Sequence, residues 1–243
     1  MKRFYQAVGV APSGPGRGVL LDQHPVRTPA KRLLILPTVP LAEAIAGEWR
    51  DQGDTIRPEA MPLTRLASTA IDRMPELRQA AIDEVVAYVD TDLLCYRAAE
   101  PFDLVQRQHH VWQPVLDWLS AAHGIRLCVT TSILPLAQPE VARGRLRTAI
   151  EDLPDWPLVG VHAATTALGS LALGLAVLHG RIDAEAAVAA SLLDELFEIE
   201  RWGTDPEAER RHAVLRRDIT GAARFIQALH QPSEGGSNPA PTR

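Results

Sequence analysis

Cysteine is nearly absent from this chain of 243 residues: Cys95 and Cys128 stand alone, without a CxxC or a paired Cys/His spacing. Two thiols so placed make neither a disulfide framework nor a thiolate zinc site, and they suit a reducing compartment. Lysine is scarce too, with only Lys2 and Lys31, so arginine supplies nearly all of the 25 basic residues set against 30 acidic ones. A net charge of -5 and a pI near 5.9 lack the basic footprint of a nucleic-acid binder. The first residues, Met1-Lys2-Arg3-Phe4-Tyr5-Gln6, carry no apolar secretory core and no Arg/Ser-rich presequence, so the chain is expected in a bacterial cytoplasm.

Motifs that carry chemistry are missing as well. There is no GxSxG elbow, no GxxxxGK[ST] and no HExxH. Gly14-Pro15-Gly16-Arg17-Gly18 is glycine-rich, but a strand-like run follows it rather than a helix, so it reads as a hairpin loop. None of the eight histidines has a ligand partner at helical spacing, and adjacent His109 and His110 point to different faces of a helix. His162 reads as a hydrogen-bonded core histidine, and Ser170 and Cys95 read as packing residues without a neighbouring base. No catalytic residue, cofactor site or metal site is expected. Leu158 to Leu178 holds no formal charge and is nearly long enough to span a bilayer. Its Gly160, Gly169, Gly174, Thr165 and many alanines favour a buried central helix whose small residues let neighbours approach, so no membrane insertion is expected.

What is present is a change of pattern along the chain. Phe4 to Val10, Val19 to Leu21, Val26 to Thr28 and Leu33 to Leu36 are short apolar runs separated by turn residues, the mark of successive hairpins. Helical spacing begins at Pro40–Gln52 and continues through Pro62–Arg73, Glu76–Val89 and Pro101–His123, which ends at Gly124. Ile125 to Thr131 is strand-like. Helices are then expected over Pro139–Leu153, Pro157–Leu178, Ala184–Arg201 and Pro206–Leu229. The fold class is α+β: a β-rich N-terminal domain with one helix over residues 1–75, a larger all-helical C-terminal domain over 76–230, and a disordered tail over 231–243.

One helix carries an anomaly. On Ala184–Arg201, advancing about 100° per residue, Val188, Leu192, Leu196 and Ile199 form an apolar stripe, while Asp194 and Glu198 project into water. Glu195 falls at the margin of the stripe, beside Trp202. A carboxylate there is either a rim residue or a polar anchor in a contact face, and Trp is frequent among interface anchors. Trp49, Trp112, Trp118 and Trp156 are expected mostly in the core.

These residues resemble a known family, the assembly chaperones that act on the alpha subunit of the F-type ATP synthase head (the Atp-twelve family). The likeness runs through Arg3-Phe4-Tyr5, Val26-Arg27-Thr28-Pro29, Leu36-Pro37-Thr38, Ile45-Ala46 with Glu48-Trp49, and Met61-Pro62-Leu63-Thr64 with Thr69-Ala70-Ile71-Asp72. Its strongest run is Thr91-Asp92-Leu93-Leu94-Cys95-Tyr96-Arg97 with Glu100-Pro101, followed by Trp112, Pro114, Asp117 and Trp118, and by Ser191, Asp194-Glu195, Phe197 and Trp202-Gly203. The chain departs from the family at Asp22-Gln23, where Asp-Gly is usual, at Gln113, where Asp is usual, and at Glu198, where Gln is common. The resemblance implies a two-domain, non-catalytic protein, and a monomer is expected. It implies binding of the free alpha subunit, shielding the surface that the beta subunit later covers, with Glu195 important for activity. The partner-binding set expected on this basis is Glu195, Trp202, Leu192 and Ile199. The alternatives are an enzyme with a site between the domains and a membrane-associated scaffold built on Leu158 to Leu178.

Overall fold

A computed structural model describes residues 1–230; the tail expected over 231–243 lies outside the described residues. Four antiparallel strands open the chain: β1 (Val8–Ser13), β2 (Gly16–Leu21), β3 (His24–Pro25) and β4 (Ile35–Leu36). β2 pairs with all three others, β3 at its Leu21 end and β4 at its Arg17 end. Residues 11–13, expected as a turn, continue β1, and the reversal is the two-residue loop Gly14-Pro15 with Gly14 at φ +54.

The next turn explains the first departure from the family pattern. Asp22 and Gln23 both have positive φ (46 and 72), as a two-residue turn between right-twisted strands requires. The Asp22 carboxylate accepts the N–H groups of Gln6 and Ala7, at 3.0 and 2.8 Å, so the turn also ties down the strand before it. Gln23 holds a left-handed conformation without the freedom of glycine. Gln23→Gly should therefore stabilise the fold by about 0.5 kcal/mol and raise Tm by roughly one or two degrees. A lower Tm in a thermal melt would show that the Gln23 side chain contributes more than its backbone strain removes.

Ten α-helices follow among the described residues: α1 (Val39–Arg50), α2 (Pro62–Asp72), α3 (Met74–Ala87), α4 (Phe102–His123), α5 (Glu140–Glu151), α6 (Asp155–Leu168), α7 (Leu171–Leu178), α8 (Ala184–Ser191), α9 (Leu193–Trp202) and α10 (Pro206–Leu229). Residues 1–75 thus contain α1 and α2 rather than one helix. α2 starts at Pro62, and its bare N-terminus is capped from α1, where Glu48 accepts the N–H groups of Leu63 and Thr64 at 2.7 and 2.8 Å. Gly124, left-handed at φ +64, ends α4 as its sequence suggests. Ile125 to Thr131 is not a strand; only Tyr96 and Thr130 bridge. The buried amide of Gln138 takes the place of a neighbouring strand there, bonding both the N–H and the C=O of Cys128.

Two expected helices are each divided. Gly169 at φ +66 closes α6, and Ser170 caps α7 by accepting the Leu173 N–H at 3.0 Å. Beneath this joint lies Asp92, fully buried, which accepts from Ser170 Oγ at 2.7 Å, Ala172 N–H at 3.0 Å and Leu94 N–H at 3.1 Å. Burial pushes the Asp92 carboxyl above its ordinary pKa, against the pull of these donors. The second division is at Leu192. A continuous helix would offer the Ala190 carbonyl to the N–H of Asp194, but here it accepts the indole N–H of buried Trp112 at 2.9 Å, and the helix turns into α9.

The core is continuous from the sheet through the helices. α6 lies at its centre against α2, α3, α7 and α10. The small residues of the former apolar run do allow close approach. A β-carbon at Gly160 would lie 2.6 Å from Ile226 on α10, one at Gly174 would lie 2.4 Å from Thr165, and one at Gly221 would lie 2.7 Å from Pro62. Gly221→Leu has no flexible neighbour to displace, since Pro62 is a rigid ring at the start of α2. It should cost about 3 kcal/mol in chemical denaturation; a loss under about 1 kcal/mol would mean that α2 and α10 slide apart freely. Among the described residues, no helix is long and apolar enough to cross a membrane.

Candidate functional site

The kink at Leu192 decides what α9 presents. Leu192 sits inside the bend with 2% of its surface exposed, so it is a core residue and not part of a binding face. Asp194, expected to face water, instead accepts the amide of buried Gln108 on α4 at 2.7 Å, and burial raises its pKa. On the ten-residue helix that remains, Glu195, Ile199 and Trp202 are spaced i, i+4, i+7 and form one stripe. Ile199 is half-buried, whereas Trp202 is 75% exposed, a large aromatic surface left in water.

The opposite side of α9 packs on α4. Phe197 is buried there between two cations, with the Arg201 and Arg107 guanidinium carbons 4.2 and 5.1 Å from its ring centroid. Each arginine bridges the seam, Arg107 to Glu200 at 2.7 Å and Arg201 to Asp103 at 3.3 Å.

Glu195 has partners that its place on the stripe did not suggest. One carboxylate oxygen accepts from Arg211 Nη2 at 2.6 Å and from His212 Nε2 at 2.5 Å, both on the first half of α10. Burial alone would raise its pKa, but the hydrogen bonds from His212 and Arg211 outweigh it and hold the group below the ordinary carboxylate range. That half of α10, residues 206–218, contains no fully buried residue. Glu195 therefore clasps α10 to α9, while its other oxygen makes no hydrogen bond among the described residues. Sequence could have found this clasp: Glu195 stands eight residues before Gly203 and His212 nine after it, so an antiparallel hairpin about Gly203 brings them together.

Other residues singled out by sequence are structural or peripheral. His162 is not a core histidine; it is partly exposed on α6 and bonds Glu84 of α3 at 2.8 Å. Ser170 is the cap already described. Cys95 is buried, its thiol pushed up to about 12 by burial and by the neighbouring Asp92, which leaves it unreactive. A cavity of about 560 Å³ between α7 and α10 gathers His179, Asp183, Arg224 and His230. Two of these are already engaged in structure, with Asp183 capping α8 at the Ala186 N–H and His230 bonded to the Ile226 carbonyl. Trp112 is core as expected, whereas Trp49, Trp118 and Trp156 are partly exposed.

A small sheet joined by one core to an array of helices, with Trp202 left exposed beside a helical clasp, has solved structural relatives. The crystal structure of Atp12 from Paracoccus denitrificans superposes with a TM-score of 0.87 at 41% sequence identity, covering 94% of this chain and 98% of that one. The chain belongs to the ATP12 chaperone family. The family model, described as ATP12 chaperone protein, matches residues 2–120, which covers the sheet and α1 to most of α4. Curated relatives extend the match along the helical part. The mitochondrial protein atp12 of Schizosaccharomyces pombe is 24% identical over 231 residues, covering 88% of this chain and 79% of the relative. The mitochondrial ATP12 of Saccharomyces cerevisiae is 22% identical over 242 residues, covering 82% and 74%. Membership of the ATP12 family makes this chain an assembly chaperone, and the α+β fold expected from its sequence is the fold of the Paracoccus protein.

Proposed function

We propose that this chaperone holds the free alpha subunit of F-type ATP synthase, in the bacterial cytoplasm and as a monomer, until the beta subunit takes its place. The surface that does so is the Glu195, Ile199 and Trp202 stripe of α9. The observation that carries this reading is Trp202, an aromatic left 75% exposed on a helix whose opposite side is firmly packed. An apolar face with one fixed carboxylate suits a client surface destined to be buried against another subunit. Such a face binds strongly enough to prevent self-association and weakly enough to be displaced.

The clasp changes how the site must be tested. Lysine at position 195 would face Arg211 and His212, so Glu195→Lys should release the first half of α10 as well as alter the contact face. Glu195→Gln removes the charge with little change of shape, and Trp202→Ala removes a side chain that is 75% exposed. Aggregation of purified alpha subunit, followed by light scattering, should be suppressed by the wild type and by Glu195→Gln only weakly. Trp202→Ala should lose roughly tenfold in potency while melting at the wild-type temperature. Full protection by Trp202→Ala would remove the stripe from the binding surface, and no protection by the wild type would remove the alpha subunit as client.

A further inference from the structure

The outer face of α6 carries a groove that the stripe on α9 does not include. One stretch, about 340 Å³, lies between α2, α6 and α10; a second, about 360 Å³, lies between α2, α3 and α6. They share Leu66, His162 and Ala163 and so form one channel along α6. Its floor is made of small or buried residues, Val159, Ala163, Thr166 and Ala167. Two large side chains on its walls stand open to water, Leu77 at 40% and Val214 at 46% exposed.

Charge is distributed unevenly around this channel. The acidic residues on it each face a basic side chain: Glu84 bonds His162 at 2.8 Å, and Asp218 lies 3.5 Å from Arg217 without a hydrogen bond between them. Arg65 on α2 and Arg73 at the α2–α3 turn are both exposed, and neither makes an ion pair among the described residues. At its other end the channel is lined by Arg211, the residue that holds Glu195 at 2.6 Å. The groove thus runs into the clasp of the proposed client surface, with an apolar floor and basic ends.

We infer that the α6 groove takes an apolar segment of the client whose flanks carry acidic side chains. The occupant lies along α6 with its apolar side on Ala163, Thr166 and Leu77, and its carboxylates meet Arg65 and Arg73. This rests on the reading that the client is the alpha subunit, and it extends the contact from one helix stripe to a second, continuous surface. Close contact with small floor residues gives shape selection, and the free arginines select sign and orientation.

Two variants test it in the full chain. Thr166→Trp fills the groove from an exposed position on α6, and Arg65→Glu with Arg73→Glu reverses the free charges. Thr166→Ser, which keeps the hydroxyl and leaves the groove open, serves as the control. With purified alpha subunit as the probe, both variants should need roughly tenfold more chaperone for half-protection, while Thr166→Ser matches the wild type. Thermal melts confirm that each variant is folded. The charge-reversal defect should shrink with added salt, because salt screens both the wild type's attraction and the variant's repulsion. Equal protection by folded Thr166→Trp and by the double variant would overturn the groove while leaving the α9 stripe standing. A concentration-dependent dimer of the free wild type that Thr166→Trp abolishes would place a second copy in the groove and overturn a client segment there. Absence of protection by the wild type would remove the client itself, and the groove's occupant with it.

Discussion

Asp92→Ala should leave a chain that no longer unfolds cooperatively, or one that has lost about 3–6 kcal/mol of stability. Three donors converge on this carboxylate, the hydroxyl of Ser170 and the N–H groups of Leu94 and Ala172, and all lie where no water reaches. Removing the acceptor leaves each unsatisfied at about 1–3 kcal/mol, against a total stability of about 5–15 kcal/mol for a domain. The loss is concentrated because Asp92 joins the 3-10 turn at Leu93–Cys95 to the start of α7, and α7 is buried on every side. Ser170→Ala is the matched comparison. It removes one cap and one bond to Asp92, and should cost about 1–2 kcal/mol in urea denaturation. An Asp92→Ala protein with a wild-type midpoint would mean that the joint between α6 and α7 reorganises around the missing group.

The same joint shows what sequence could and could not reveal. Gly169-Ser170 is a helix stop followed by a helix start, and both act as such: Gly169 is left-handed and Ser170 caps. Reading Leu158 to Leu178 as one apolar run hid that signal, because hydropathy dominated over the two small residues that divide it. The kink at Leu192 is different in kind. Residues 188–196 hold no Gly or Pro, and the cause is an indole 78 residues away that takes the Ala190 carbonyl. A helical wheel drawn through that point places Leu192 on a surface stripe and Asp194 in water. Both placements fail together, since one kink moves both.

Where tertiary contacts do not intervene, local chemistry sufficed. α10 begins with Asp205 accepting the N–H groups of Glu207 and Ala208 and with Pro206 in its first turn, and α4 ends at a left-handed glycine. The candidate site was legible in part for the same reason. Glu195, Ile199 and Trp202 lie within one uninterrupted helix, so their spacing survives. Leu192 was lost to the kink, and Arg211 and His212 are visible only once the hairpin about Gly203 is drawn.

Glu48 provides a test whose sign is set by burial. Its carboxyl accepts from the N–H groups of Leu63 and Thr64 and from Thr64 Oγ1 at 2.7 Å, closing α1 onto α2. Desolvation outweighs these donors and raises its pKa above the ordinary 4.5. A carboxyl whose pKa is higher in the folded state than in the unfolded chain contributes stability below the unfolded pKa. That contribution fades as pH rises through the folded value. Glu48→Ala should cost about 3 kcal/mol, because three donors lose their acceptor at the start of α2. Glu48→Gln keeps one acceptor oxygen but does not titrate, so it isolates the proton. The stability gap between wild type and Glu48→Gln should be widest below about pH 4.5 and narrow as pH rises through the raised folded pKa. A gap that widens with pH over the same range would show that the donors hold the carboxylate ionised and that the end of α2, with its positive dipole, outweighs burial.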